Sequence, residues 1–428
     1  MNKEMILSDK IKPIFSSKGP CSHWFGYYNY SPISADGTKL LSHKVDFDGR
    51  SIKPDDTAEI GFFTLSDGEW HRLSVTHAIN WQQGAMLQWL GPDFNTRVIF
   101  NDVEGERFVS RIYDVNTGAL VKTIPFAIYG VTPDGKRSIT LQFERCYWCR
   151  AYHYESIQDS AWDGAIHPQD GVFSVDLETG NVERIISIDD VLEIERRTPI
   201  EGEKHWLEHI MLNPSGTRFA FYHRFGTLQN FKTVGFTANI DGSGCKVMPI
   251  EDASIPSHLG WKDDDSFSVF CYSRSKAVKT YQAAAAKKNK SIMDAIIVFV
   301  RRTIKKIVPQ RVIDTALRNT YYAFVSLNEG ASVKMDPARM YKDGHPSFIR
   351  SGQYMLTDTY ADKRLYRHLF LYEVATGKII ELGRFYSPFN NCGYRSDLHP
   401  RCSKSGEMIV IDSAHSGQHQ IYVFRLEI

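Results

Sequence analysis

The chain is expected to fold as an all-β, seven-bladed β-propeller closed by its own N-terminal strand. Three patterns predict this: a hairpin turn that recurs seven times, a second kind of turn that alternates with it, and a last unit one strand short. The first turn is Ala35-Asp36-Gly37, Pro133-Asp134-Gly135, Pro214-Ser215-Gly216, Arg350-Ser351-Gly352 and Lys404-Ser405-Gly406. Looser versions stand at Gly91-Pro92-Asp93 and Asp263–Asp265. Glycine and aspartate suit a reversal made in two or three residues, because the backbone must adopt positive φ there. Each turn leads into a β-prone run such as KLLSHKV, RFAFYHRF or EMIVIDS.

The second turn follows in six units, at 65–70, 115–120, 177–182, 240–245, 327–332 and 374–379. Two hairpins per unit make four strands, the pattern of a propeller blade. A pair of β-sandwiches would not keep one turn order throughout. The seventh unit reaches only its third strand, and the short run Ile11–Phe15 has no partner of its own. It is therefore expected to complete the seventh blade and remove the exposed edge of an open sheet.

With 428 residues, 42% hydrophobic and 13% aromatic, the chain can bury a substantial core as one domain, residues 1–428. Its formal net charge of +1 argues against nucleic acid as a partner. Seven cysteines show no regular framework. Cys146 and Cys149 form a single CxxC without the second pair that a zinc site needs. Free thiols and the lack of an apolar leader at the N-terminus predict a cytoplasmic location.

Residues 276–318 interrupt blade five. They carry seven Lys and four Arg against two Asp, which leaves a net −8 on the rest of the chain. Ile292, Ile296, Val300, Ile304 and Ile307 fall at helical spacing, with Arg301, Arg302, Lys305 and Lys306 mainly on the other side. The pattern predicts a basic amphipathic helical insertion. Such a helix packs on the propeller with its lysines solvated, or contacts a partner or the inner membrane face peripherally. Its apolar run is too short to cross a bilayer, which takes about 20 residues.

First strands of propeller blades line the central channel. Counting back seven residues from the turn glycine gives His209, His345 and His399, and the turn of blade five places His258 in the same slot. Tyr30, Met86 and Ile128 fill it in blades one to three. Four of seven equivalent positions are thus histidine, in a chain with only 15. Four residues earlier lies a second ring that includes His205 and Arg395. Near these slots stand His23, Tyr28, Gln83, Arg145, Arg224, Asp343, Asp397 and Arg401. Imidazoles bind divalent metals or accept protons, and guanidiniums hold carboxylates through paired hydrogen bonds. Aromatic rings offer flat faces to sugars. The mixture points to an acidic carbohydrate. No P-loop, GxGxxG before a helix, or GxSxG is present to suggest a nucleotide enzyme or a serine hydrolase.

The segments DGHPSFIRSGQYMLTDTY (343–360) and SDLHPRCSKSGEMIVIDSAHSG (396–417) resemble the His-Pro blade motifs of oligogalacturonate lyases, seven-bladed propellers grouped with TolB-like repeats. The resemblance covers mainly blades four, six and seven. It implies β-elimination on uronate oligosaccharides with a divalent metal, manganese or calcium, held by histidines and a glutamine. His209, His345 and His399 fall on the corresponding positions. Arg401 stands where that motif has its second histidine, and Ser396 where it has its glutamine.

β-Elimination requires a neutralised carboxylate, for which Arg401, Arg395 and Arg224 are candidates. It requires a base, His209 or His399, and an acid, Tyr28, Tyr30 or His345. Asp343 and Asp397 each precede a histidine by two residues and are placed to orient it. His205, His258, Gln83, Arg145 and His23 are expected among the substrate contacts. The alternative is a non-catalytic propeller that binds glycan or protein, held at a membrane surface by residues 276–318, in polysaccharide assembly.

Overall fold

The structure is a computed structural model that describes residues 5–145, 153–157, 165–200, 202–227, 230–251, 254–274, 318–335, 340, 342–391 and 393–428. The strands form seven antiparallel sheets, six of four strands and one of five. Blade one is Ser22–Trp24, Lys39–Val45, Ala58–Thr64 and Trp70–Thr76; blade four is Lys204–Leu212, Arg218–Thr227, Asn230–Asn239 and Lys246–Val247. The five glycine-bearing turns have φ between +71° and +81° at their glycines, as the reversals require.

Ring closure is as expected. Ile11–Ser16 pairs antiparallel with Gln420–Leu426, Ile11 opposite Leu426, and completes the seventh blade. Two elements go beyond the sequence reading. Ile6–Leu7 adds a fifth strand to blade six by pairing with Ile379–Tyr386. A helix, Ile188–Glu195, follows blade three and is capped by Ser187, whose side chain accepts from the Asp190 N–H while Asp190 accepts from the Ser187 N–H.

Cys146, Cys149 and residues 276–317 lie outside the described residues. Arg318, read as part of the insertion, instead opens the third strand of blade five, Arg318–Ser326. Among the described residues no helix is long and apolar enough to cross a membrane.

Adjacent blades are joined by polar side chains as well as by apolar packing. Trp89 Nε1 donates to Pro32 O and Trp261 Nε1 to Met211 O, both at 2.9 Å, so each tryptophan reaches the first-strand segment of the preceding blade. The second strands reach forward instead. His43 Nε2 accepts from Ala85 N at 2.9 Å, Asn101 Oδ1 from Ile128 N at 2.8 Å, and Asp412 from Phe25 N at 3.0 Å and Gly26 N at 2.9 Å. These contacts hold the first strands in place around the axis.

Candidate functional site

Three of the seven slot positions share a backbone signature. Met86, His209 and His399 all have left-handed φ, at 53°, 60° and 43°. In blades four and five the pairing shifts register between Glu208 and Met211 and between Pro256 and Leu259. Such bulges turn a side chain away from the regular pleat, and here they fall on His209 and His258.

Three of the four histidines converge. The ring of His345 lies 4.3 Å from that of His258 and 4.2 Å from that of His399, and all three are buried. Tyr28 packs against the same three rings at 6.1, 5.3 and 5.9 Å for His258, His345 and His399. Its hydroxyl is engaged with the backbone of Leu259, donating to the carbonyl at 2.9 Å. Tyr360 closes the group on the side of His258 and His345, at 6.1 and 5.7 Å. His209 sits one ring further round, 6.1 Å from Tyr27, with its Nδ1 3.0 Å from Glu208 Oε1.

Each central histidine has an acceptor behind it. His258 Nδ1 lies 2.9 Å from Asp343 Oδ1, His345 Nδ1 2.8 Å from Asp358 Oδ1, and His399 Nδ1 2.7 Å from Gly26 O. A carbonyl or carboxylate oxygen can only accept, so Nδ1 carries a proton, and in the neutral ring Nε2 is the nitrogen that keeps a lone pair. Asp343 is itself held by Tyr272 Oη at 2.6 Å and Ser257 Oγ at 2.9 Å. Burial, reinforced by mutual repulsion, holds His345 and His399 well below the ordinary imidazole pKa, so both are neutral near pH 7.

The charges are arranged in pairs. Asp397 lies 2.6 Å from Arg367 Nη1 and accepts from Arg395 Nε at 2.6 Å. Burial pushes its pKa up, but the two guanidiniums prevail and hold it well below the usual carboxylate range. Arg401, fully buried, donates from Nη2 to Asp412 at 2.7 Å, from Nε to Tyr27 O at 3.0 Å, and from Nη2 to Gly26 O. Arg224 is paired with Glu208 at 2.6 Å; burial raises the Glu208 pKa, but Arg224 and His209 bring it down to about 2. Arg401 and Arg224 therefore brace the chamber wall. Arg395, its side chain 19% exposed, is the cluster's most open guanidinium.

His345, Asp397 and His399 present ligand atoms within 4.8 Å of one another, all buried. Two imidazoles with Nδ1–H tied to acceptors and one carboxylate make a donor set that suits a divalent cation. The formal charge suits one too. Asp397 and Asp412 face the guanidiniums Arg367, Arg395 and Arg401, while Asp343 and Asp358 face the imidazoles of His258 and His345. Counted as ionised, four carboxylates against three guanidiniums leave one negative charge for a cation to offset.

Other predicted residues are placed elsewhere. His205 Nδ1 meets His223 Nε2 at 3.0 Å, and His223 Nδ1 meets Glu195 Oε1 at 2.6 Å, a separate relay that ties blade four to the helix. His23 packs on Phe63 and Trp70 of blade one's third and fourth strands, at 4.9 and 5.3 Å. Arg145 lies 3.7 Å from Asp170 in blade three. Gln83 donates to Tyr129 Oη at 2.7 Å, beside Tyr27 on the apolar side of the channel. The count from the turns does not single out Asp358, Asp412, Arg367 or Tyr360. A signal existed for two of them: Asp358 and Asp412 each stand six residues after a turn glycine, as His43 does.

Fold and chamber together define a seven-bladed β-propeller with a polar, histidine-lined centre. No family model matches the sequence, and no curated protein matches it. Solved structures do. An oligogalacturonate lyase in complex with manganese is 14% identical with a TM-score of 0.62, over 98% of this chain and 98% of that one. An oligogalacturonate lyase from Vibrio parahaemolyticus is 14% identical with a TM-score of 0.61, over 99% and 96%. TolB from Acinetobacter baumannii is 13% identical with a TM-score of 0.38, over 82% and 64%. At these identities the likeness to the lyases is one of fold.

Proposed function

We propose that the protein cleaves an acidic, uronate-containing oligo- or polysaccharide by β-elimination in the histidine chamber. The observation that carries this reading is the meeting of His258, His345 and His399, with rings 4.3 and 4.2 Å apart, beside the Arg367–Asp397–Arg395 cluster. That arrangement places proton acceptors next to groups that hold a carboxylate. The fold shared with oligogalacturonate lyases, one of them in complex with manganese, supports the same reading.

Arg395 binds the uronate carboxylate at the open side of the cluster. His345, His399 and Asp397 would hold a divalent cation, which when bound draws charge from that carboxylate and acidifies the neighbouring C5–H. His258, oriented by Asp343, takes the C5 proton on Nε2. The electron pair of the C5–H bond becomes the C4=C5 bond as the C4–O bond breaks, and the phenol of Tyr360 protonates the departing oxygen. Tyr28 packs behind the three imidazoles and fixes their spacing.

The test is to incubate the full chain with oligogalacturonate or other uronate chains and follow absorbance of the C4=C5 product, with manganese and with chelator. Product that depends on metal, and falls about 10²-fold or more in Asp343→Asn, is expected. Absence of product from every uronate chain, with manganese present, sinks the enzyme reading.

A further inference from the structure

The channel opens into a vestibule on the side of the first-strand hairpin turns, away from the histidines. Two adjoining cavities, of about 540 and about 400 Å³, share Asn29, Tyr30, Ser31, Phe348 and Lys404 in their walls. Tyr28 and Arg401 line the smaller one. Since Tyr28 also packs on His258, His345 and His399, it stands as a partition between this vestibule and the histidine chamber.

The two parts of the vestibule differ in chemistry. The larger presents aromatic faces, among them the partly exposed Trp261 and Phe348, and Lys404 Nζ lies 4.5 Å over the ring of Phe94. The smaller adds Arg350, Ser403, Ser405 and the Asp412-bound Arg401, while Lys404, Ser31 and Ser347 are common to both. No aspartate or glutamate lines either cavity. Arg350 and Ser351 both hold left-handed φ, at 50° and 53°, a conformation costly for residues with a Cβ. This backbone holds the cationic rim of blade six beside Lys404 of blade seven.

We infer that the vestibule is a second binding site, for an anionic sugar unit: the aromatic faces take the ring and Lys404 with Arg350 takes the charge. Flat apolar faces beside convergent donors recognise that chemistry; Arg350 gives one N–H to Ile428 O at 3.0 Å, and a guanidinium has further N–H groups to offer. The choice of an acidic sugar as ligand rests on the proposed function. The site itself is separate from the histidines and would hold product or a remote unit of substrate.

The probe is galacturonate, titrated into the full chain and into His345→Ala while tryptophan fluorescence is followed. Galactose and inorganic phosphate serve as comparisons. Saturable binding is expected in both proteins, weakened about tenfold or more by Lys404→Glu and by loss of the charge in galactose, with the signal reduced in Trp261→Phe. Binding that survives in His345→Ala supports the vestibule even if no elimination is ever seen, so the two proposals fail separately. Binding lost in His345→Ala, unchanged in folded Lys404→Glu, or matched by phosphate overturns the inference. Thermal unfolding of each variant checks folding; Lys404 is exposed, so its replacement leaves the core intact.

Discussion

Blades five to seven put histidine in the slot where blades one to three put Tyr30, Met86 and Ile128. The backbone does not explain the difference, since Met86 and His399 share a left-handed φ. The surroundings do. Ile128 and Met86 belong to a continuous apolar cluster with Tyr27, Tyr28 and Tyr129. On the other side, every imidazole has an oxygen behind its Nδ1, from Asp343, Asp358 or Gly26. One half of the ring is a wall and the other a set of oriented lone pairs. The contrast teaches that the slot is a position made available by the fold, and that chemistry is added by residues of the adjacent strand or the adjacent blade.

The sharpest way to break this comparison is to replace one residue from each half. His258→Ala is expected to lower turnover on uronate chains by about 10²–10⁴-fold, the usual worth of a proton acceptor. Ile128→Ala is expected to cost about 2–5 kcal/mol of stability, as buried Ile truncations do, and to leave turnover unchanged below its melting temperature. Turnover measured beside urea unfolding separates the two. Equal losses of turnover would erase the distinction between the halves.

That division was only half legible in the sequence. The turn glycines and the strand alternation announce the blades because they are local signals, and the unpaired run Ile11–Phe15 announces closure by elimination. Histidine spacing from the turns brings out His258, His345 and His399 because the first strands are in register with their turns. The partners escape this count. Asp358 and Asp412 lie on second strands, and Arg367 on a third strand, so only the folded sheet shows which slot each one serves. His205 and His23 meet His223 and Phe63 instead of the central imidazoles for the same reason: a position in the count does not say which way a side chain points at a bulge or strand end.

A smaller effect follows from His43, which joins blade one to blade two as a neutral imidazole. Its Nδ1 faces Trp24 O at 3.2 Å while Nε2 accepts from Ala85 N. Burial lowers its pKa to about 4. The unfolded chain takes up this proton near pH 6.5 and the folded chain only near pH 4. The associated stability is thus fully present above about pH 6.5 and is lost as pH falls toward 4. Between pH 7 and pH 5 the loss from this group is about 2 kcal/mol. His23, His205 and His415, also lowered to about 4 by burial, add in the same direction. Urea midpoints at the two pH values measure the slope, and His43→Gln should flatten it. An unchanged slope in that variant would assign the acid sensitivity elsewhere.

The smallest effect tests whether a slot residue on the apolar side takes part in chemistry. Tyr30 occupies the position equivalent to His258, and the sequence admits it as an acid. In the fold its hydroxyl donates to Tyr129 O at 3.1 Å, and burial raises its pKa above the ordinary phenol value. A phenol so placed braces blade one against blade three. Tyr30→Phe is therefore expected to cost about 1 kcal/mol of stability, the net worth of one hydrogen bond, with the pH profile and turnover of elimination unchanged. Tyr360→Phe, by contrast, should depress the turnover of elimination. If Tyr30→Phe slows elimination while the fold holds, the apolar half contributes a proton after all, and the boundary between wall and chamber must be moved by one blade.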